Sequence, residues 1–197
     1  MSNSYSFERD LKEAEVMVGS LESYIRQDNL YGTAGGGMFS SGNMPSLTVG
    51  ALLMRLRRLA ELRSELSESQ QARLDEVMDK NQQVANEWRL HYTGKMEREA
   101  KSRLDAMKTF FDECRSNPSN CANLYRPEAL RRTIVQDLLF GMKDMNVEVD
   151  DELKRKLQHT DNALRGWLVP ADFQWASELE PAYPRSTFWW LYQNPRG

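Results

Sequence analysis

The chain has 197 residues, 40% hydrophobic and 28% charged, with a formal net charge of −3. That length suits a single domain with a real core and no need of covalent staples. The composition is that of a folded rather than a disordered chain, and the near-neutral charge gives no global attraction to nucleic acid or anionic lipid. No run of about 18 apolar residues occurs, so no membrane span is expected. The opening MSNSYSFERDLKE lacks the apolar stretch of a secretory signal, so the cytoplasm is the default address.

The first periodic segment carries Phe7, Leu11, Ala14, Val18, Leu21 and Ile25 at steps of three and four residues. This predicts one helix with a narrow seam, which fits either its own chain or a neighbour's. Residues 28–46 then break every periodicity with five glycines and one proline, and read as a flexible linker. Within it, Gly37 and Gly42 have the glycine spacing of a phosphate-cradling loop. Asn43 and Met44 stand where that loop needs Lys and Ser/Thr, and no strand precedes it. A nucleotide site is therefore not expected, although the following helix N-terminus could hold an anion with its free amides.

A second helix is expected from Ser46 or Thr48 through VGALLMRLRRLAELRSEL, with a wide apolar stripe that implies core burial. Ser67 and Gln70 fit a capping box, which predicts a tight αα-hairpin into a third helix. From Gln70 to about Arg115 there is no proline, and Gly94 is the only glycine. A straight helix of that span would extend about 70 Å, whereas a compact chain of this size is about 40 Å across. Either the helix kinks near Gly94 or its second half, with Met96, Met107 and Phe111, needs cover from elsewhere in the chain or from a partner.

Cys114 and Cys121 flank RSNPSN, a separation short enough to permit a disulfide, although a cytosolic chain favours two reduced thiols. Pro127 is placed to open a helix running to Met145, with Leu130, Ile134, Leu138 and Met142 on one face. Asp150 or Asp151 can cap the next, whose seam is Leu153, Leu157, Thr160, Leu164 and Trp167. Pro170 is expected to open a short helix. The tail, residues 180–197, holds Tyr183, Phe188, Trp189, Trp190 and Tyr192. It either folds back as a lid on the helical core or serves as a recognition segment.

The fold class is thus all-α: one elongated helical bundle, with an αα-hairpin built on one very long central helix. The sequence offers no set of metal ligands and no nucleophile signature, so no cofactor, metal or catalytic residue is expected. The favoured function is a non-enzymatic helical interaction protein, an adaptor or accessory subunit with a protein partner or a second copy of itself. Its contact residues would be Phe188, Trp189, Trp190, Tyr192, Met96, Met107 and Phe111. A second reading is a ligand-binding or catalytic bundle with a site under the glycine-rich loop, lined by Trp88, His91 and Tyr92. A third is nucleic-acid association through Arg55, Arg57, Arg58, Arg131 and Arg132, although interleaved acidic residues favour a solvated face.

Overall fold

The computed structural model describes residues 5–35, 45–116 and 124–196. Helix α1 (Phe7–Gly19) starts at Ser6, whose side chain accepts a hydrogen bond from the Arg9 amide. The expected single first helix is in fact two, because Ser20 interrupts it and α2 (Leu21–Arg26) follows at once. The seam is buried by the chain itself, with Leu11, Ala14, Met17, Leu21 and Ile25 inaccessible or nearly so. Gly32 and Leu47 then exchange two backbone hydrogen bonds of 2.9 Å, which pins both ends of the glycine-rich connection. A Cβ at Gly32 would sit 2.6 Å from the Tyr24 ring, so this approach requires glycine. Gly37, Gly42, Asn43 and Met44 lie outside the described residues.

Helix α3 (Val49–Glu61) is capped by Thr48 and leads through a 3-10 turn (Arg63–Glu65) into α4 (Glu68–Glu87). The capping box forms as expected: the Ser67 hydroxyl accepts from the Gln70 amide, and the Gln70 side chain accepts from the Ser67 amide. The very long helix is broken, and the break falls at Trp88 rather than at Gly94. There the backbone takes φ −109° and ψ 35°, and α5 (Arg89–Ser116) departs along a new direction. The buried Tyr92 hydroxyl donates to Asn81 Oδ1 at 2.9 Å. In a straight helix these residues would be about 16 Å apart, beyond the reach of both side chains, so the axis must bend sharply between them.

The chain continues with α6 (Tyr125–Asp144) and α7 (Asp151–Trp167), joined by a turn in which Asn146 adopts φ 52° and the Val147 amide bonds the Met142 carbonyl. Asp150 caps α7 by accepting from the Leu153 amide at 2.7 Å. Leu130 departs from its expected face and is exposed. Pro170 does not open a helix. It ends a short strand, β1 (Leu168–Pro170), paired antiparallel with β2 (Gln193–Pro195) in the register Leu168 to Pro195. Between the strands run two 3-10 segments, Ser177–Ala182 and Trp189–Tyr192.

α3 is the hub, packing against α1, α5, α6 and the Ser177–Ala182 turn, while α5 lies across α6 and α7. Two hydrophobic clusters result. The larger is mostly aliphatic and joins α1 to α6. The smaller is aromatic and is built by α5, α6, α7 and the C-terminal segment. The architecture is therefore the all-α bundle expected, with α5 its longest helix. Among the described residues no helix is long and apolar enough to cross a membrane.

Candidate binding cleft

The residues expected to need a partner are covered by their own chain. Met96 and Met107 are fully buried, Phe111 nearly so, and Phe188, Trp190 and Tyr192 are core residues of the aromatic cluster. Trp190 donates from Nε1 to Thr133 at 3.0 Å, its backbone oxygen accepts from the Tyr125 hydroxyl at 2.7 Å, and its ring lies 4.1 Å from the Arg132 guanidinium. Trp189 is half-buried, with Arg165 stacked 4.2 Å from its ring. The tail is the lid on the core. The physical need for a partner, inferred from an unshielded long helix, is met by the bend at Trp88 together with α6, α7 and this lid.

The arginines are likewise engaged. Arg55 is buried and donates to Glu13 at 2.6 Å and 3.1 Å and to the Ala51 carbonyl at 2.9 Å. Arg58 makes a two-pronged pair with buried Asp10, which also accepts from the Tyr5 hydroxyl at 2.6 Å. Arg131 pairs with Glu128, and buried Arg132 holds Asp161 through two bonds of 2.7 and 3.0 Å. A phosphate backbone would have to displace these carboxylates. The anion site imagined at the α3 N-terminus is filled in the same manner. Fully buried Glu99, on α5, accepts from the Thr48 hydroxyl at 2.6 Å and the Gly50 amide at 2.8 Å, with Arg103 at 2.8 Å as counter-charge. A protein carboxylate thus occupies the positive end of the helix.

Arg57 is different. It points toward α6 and the C-terminal segment, its guanidinium held 4.6 Å from the rings of both Tyr183 and Phe188. Its Nε donates to Asp137 Oδ1, and its Nη1 donates to the Ala182 carbonyl at 2.6 Å. That leaves Arg57 Nη2 and Asp137 Oδ2 buried with no hydrogen-bond partner. Asp137 is only 2% exposed. Burial pushes its carboxyl up to about 6, against the lowering pull of Arg57 and, more weakly, Arg58.

Both residues line a cleft of about 510 Å³ enclosed by α3, α4 and α6. Its apolar walls include Leu53, Leu56, Met78 and Phe140, and Asn81 is among its polar lining residues. Asn81 Oδ1 is taken by Tyr92, so the amide presents its nitrogen as the remaining polar end. Glu61, Lys143 and Asp144 stand at the exposed rim. Gly141 lies in the wall because a Cβ there would come within 2.8 Å of both Leu53 and Met96. Neither this cleft nor a smaller one of about 240 Å³ between α5 and α7 is lined by Trp88, His91 or Tyr92. Trp88 packs on the aliphatic core, Tyr92 lies within it and His91 is exposed.

Sequence reasoning singled out Arg57 for another role and missed Asp137 and Met78. Asp137 had a signal: it is the lone carboxylate in IVQDLLF, where a helical face is otherwise apolar. Met78 falls on the heptad with Leu74 and Asn81, yet is 38% exposed, because the cleft takes the place of a packing partner there. Cys114 is disulfide-bonded, contrary to the expected free thiol. Cys121 lies outside the described residues. Comparison with known protein families, curated proteins and solved structures finds no match for the chain.

Proposed function

We propose that this chain is a non-enzymatic helical binding protein whose ligand seat is the cleft between α3, α4 and α6. One observation carries the reading: a cleft of about 510 Å³ with mostly apolar walls counts the Arg57–Asp137 ion pair and Asn81 among its few polar lining groups. A buried polar atom without a partner costs about 1–3 kcal/mol; Asp10, Arg58 and Glu99 avoid this, whereas Glu128 and Gln193 share it with the Arg57–Asp137 pair. The volume falls in the range of small-molecule sites, and mostly apolar walls with few convergent polar groups are the usual pattern of such sites. The interaction-protein reading loses priority because all its anchor residues except half-buried Trp189 are buried in the chain's own core.

The test is native mass spectrometry of the chain purified from its host, beside a Met78→Trp variant that fills the cleft mouth. The reading expects a stoichiometric small-molecule adduct on the 22.9 kDa chain that the variant lacks. An adduct-free chain, or a mass at a multiple of the chain's own, returns priority to the interaction reading. A cytoplasmic address stays part of the proposal, and the disulfide at Cys114 bears against it because such bonds persist mainly in oxidising compartments. Acid-quenched thiol alkylation in the host decides between them.

A further inference from the structure

We infer that the smaller cavity, between α5 and α7, is a second binding site, independent of the cleft, and that it takes a small organic phosphate monoester. The phosphate would sit at Arg155, His159 and Lys108, and the apolar body against Leu104. The helix period sets these groups facing one another. On α7, Arg155 and His159 stand four residues apart, as do Lys156 and Thr160, and on α5 so do Leu104 and Lys108. Each helix therefore presents one face to the gap. Leu104 and Thr160 are buried and line the inner part of the cavity, whereas Arg155, His159 and Lys108 are exposed and within reach of a solute.

The charge at this cavity opposes that of the chain. The whole sequence carries −3, yet Lys108, Arg155 and Lys156 line the cavity against Asp105 alone, a surplus of two positive charges. Lys156 answers Asp105 and lies 3.6 Å from Glu152, and Lys108 donates to Asp112 at 2.9 Å. Arg155 and His159 have no ion pair, hydrogen bond or ring contact among the described residues. Arg55, Arg57, Arg58, Arg131 and Arg132, by contrast, each hold a carboxylate. A free guanidinium offers the parallel N–H groups that grip a phosphate through two bonds. A phosphate monoester carries close to two negative charges at neutral pH and matches the surplus, whereas a carboxylate meets half of it. Size limits the rest of the ligand. A cavity of about 150 Å³ takes benzene, so about 240 Å³ suits a single ring with its head group at the mouth. Drug-sized ligands begin at pockets of about 300 Å³.

Four probes titrated into the full chain at neutral pH separate the contributions: phenyl phosphate, benzoate, phenol and inorganic phosphate. Ring protons of His159 and methyl resonances of Leu104 report occupancy, and neither residue lines the larger cleft, so the two sites stand or fall separately. Phenyl phosphate is expected to bind at least about tenfold more tightly than any of the other three, with an affinity that falls as salt rises. Arg155→Gln, at an exposed position, is expected to lower that affinity at least about tenfold. Lys154→Gln removes the same charge one residue away, from a side chain outside the cavity, and is expected to change it by less than about twofold. Asp105→Asn removes the one lining carboxylate and frees Lys156, so phenyl phosphate should bind more tightly. Equal losses in the Arg155 and Lys154 variants would reduce the site to diffuse surface charge and overturn it. Benzoate binding as well as phenyl phosphate overturns the phosphate assignment, and inorganic phosphate binding as well overturns the role of Leu104. If no probe shifts His159 and Leu104 at millimolar concentration, the cavity is not a binding site.

Discussion

Arg57 and Arg58 are neighbours on α3, and each meets a buried aspartate, but the two pairs are built to different standards. The Arg58 side of the helix faces α1, where Asp10 takes two bonds from Arg58 and a third from Tyr5, with Arg55 a further 3.4 Å away. The Arg57 side faces α6 and the cleft, where Asp137 receives one bond and keeps an oxygen idle. The saturated pair is what a buried ion pair needs if it is to repay its desolvation. The half-saturated one is an exception within the same helix, and a fold able to satisfy Asp10, Glu99 and Asp161 had the means to satisfy it. Idle buried atoms also occur away from the cleft, at Glu128 and Gln193, so the contrast is one of pairing and needs a functional test of its own.

The largest expected effect tests that contrast directly. Asp10→Asn leaves Arg58 and Arg55 buried around a neutral group and is expected to lower unfolding free energy by about 3–5 kcal/mol. Asp137→Asn removes a carboxylate that burial already disfavours, and its cost is expected to stay below about 2 kcal/mol. Denaturant unfolding of both variants measures the gap. Equal losses would mean that the two pairs do the same job and that the idle atoms have no significance.

The pH dependence of stability comes next. Asp137 titrates near 6 when folded and near 3.8 when unfolded. Between those values the folded state holds the extra proton, so stability falls as pH rises from about 4 to 6 and is flat in this group above that. The two-unit difference amounts to about 3 kcal/mol. Glu128, pushed up to about 7 by burial, acts in the same direction. Half-buried Asp150, lowered to about 2 mainly by Lys101, acts in the opposite one, its contribution being lost as pH falls from about 4 toward 2. Subtracting the pH profile of Asp137→Asn from that of the unmodified chain isolates the aspartate. A difference profile that rises or stays level between pH 4 and 6 contradicts the burial argument.

A third test probes the saturated class at Glu99. A Cβ at Gly50 would lie 2.5 Å from Ile134 and 2.8 Å from Glu99 Oε1. Gly50→Ala should therefore push the carboxylate off the α3 amides, and a loss of about 1–3 kcal/mol is expected, as for other overpacked cores. A neutral or stabilising result would show that the carboxylate is held more loosely than its hydrogen bonds imply.

Local chemistry was readable in the sequence wherever neighbours along the chain decide the outcome. The Ser67–Gln70 box, the Thr48 cap and the Asp150 cap all form between residues three apart. Elements shaped by distant partners were not. Nothing in the local pattern of Glu87-Trp88-Arg89 marks a break, which follows from Tyr92 reaching back to Asn81. Pro170 reads as a helix start until the Ala171 amide is seen to bond the Tyr192 carbonyl twenty-one residues later. The arginines of α3 carry no label saying which carboxylate each will meet. Glu99 with Arg103 looks like a surface i,i+4 pair and is instead the buried cap of another helix. The cleft was illegible for the same reason: Arg57, Asn81 and Asp137 come from three helices, and their significance lies in which of their atoms remain unpaired.

The smallest expected effect supplies the contrast's lower bound. Arg63 and Asp75 make two bonds of 2.6 and 2.8 Å in a geometry as good as that of Arg58 and Asp10. Yet both side chains are about half exposed, and water competes for every one of those bonds. An exposed pair of this kind contributes little, and salt reduces that further. Asp75→Ala is therefore expected to leave the denaturation midpoint almost unchanged, and still less changed in molar salt, although Arg63 holds the carboxyl below its ordinary range. A loss approaching that of Asp10→Asn would show that bond geometry, rather than burial with full pairing, sets the strength of ion pairs in this chain. The distinction between the Arg58 and Arg57 sides of α3 would then need another basis.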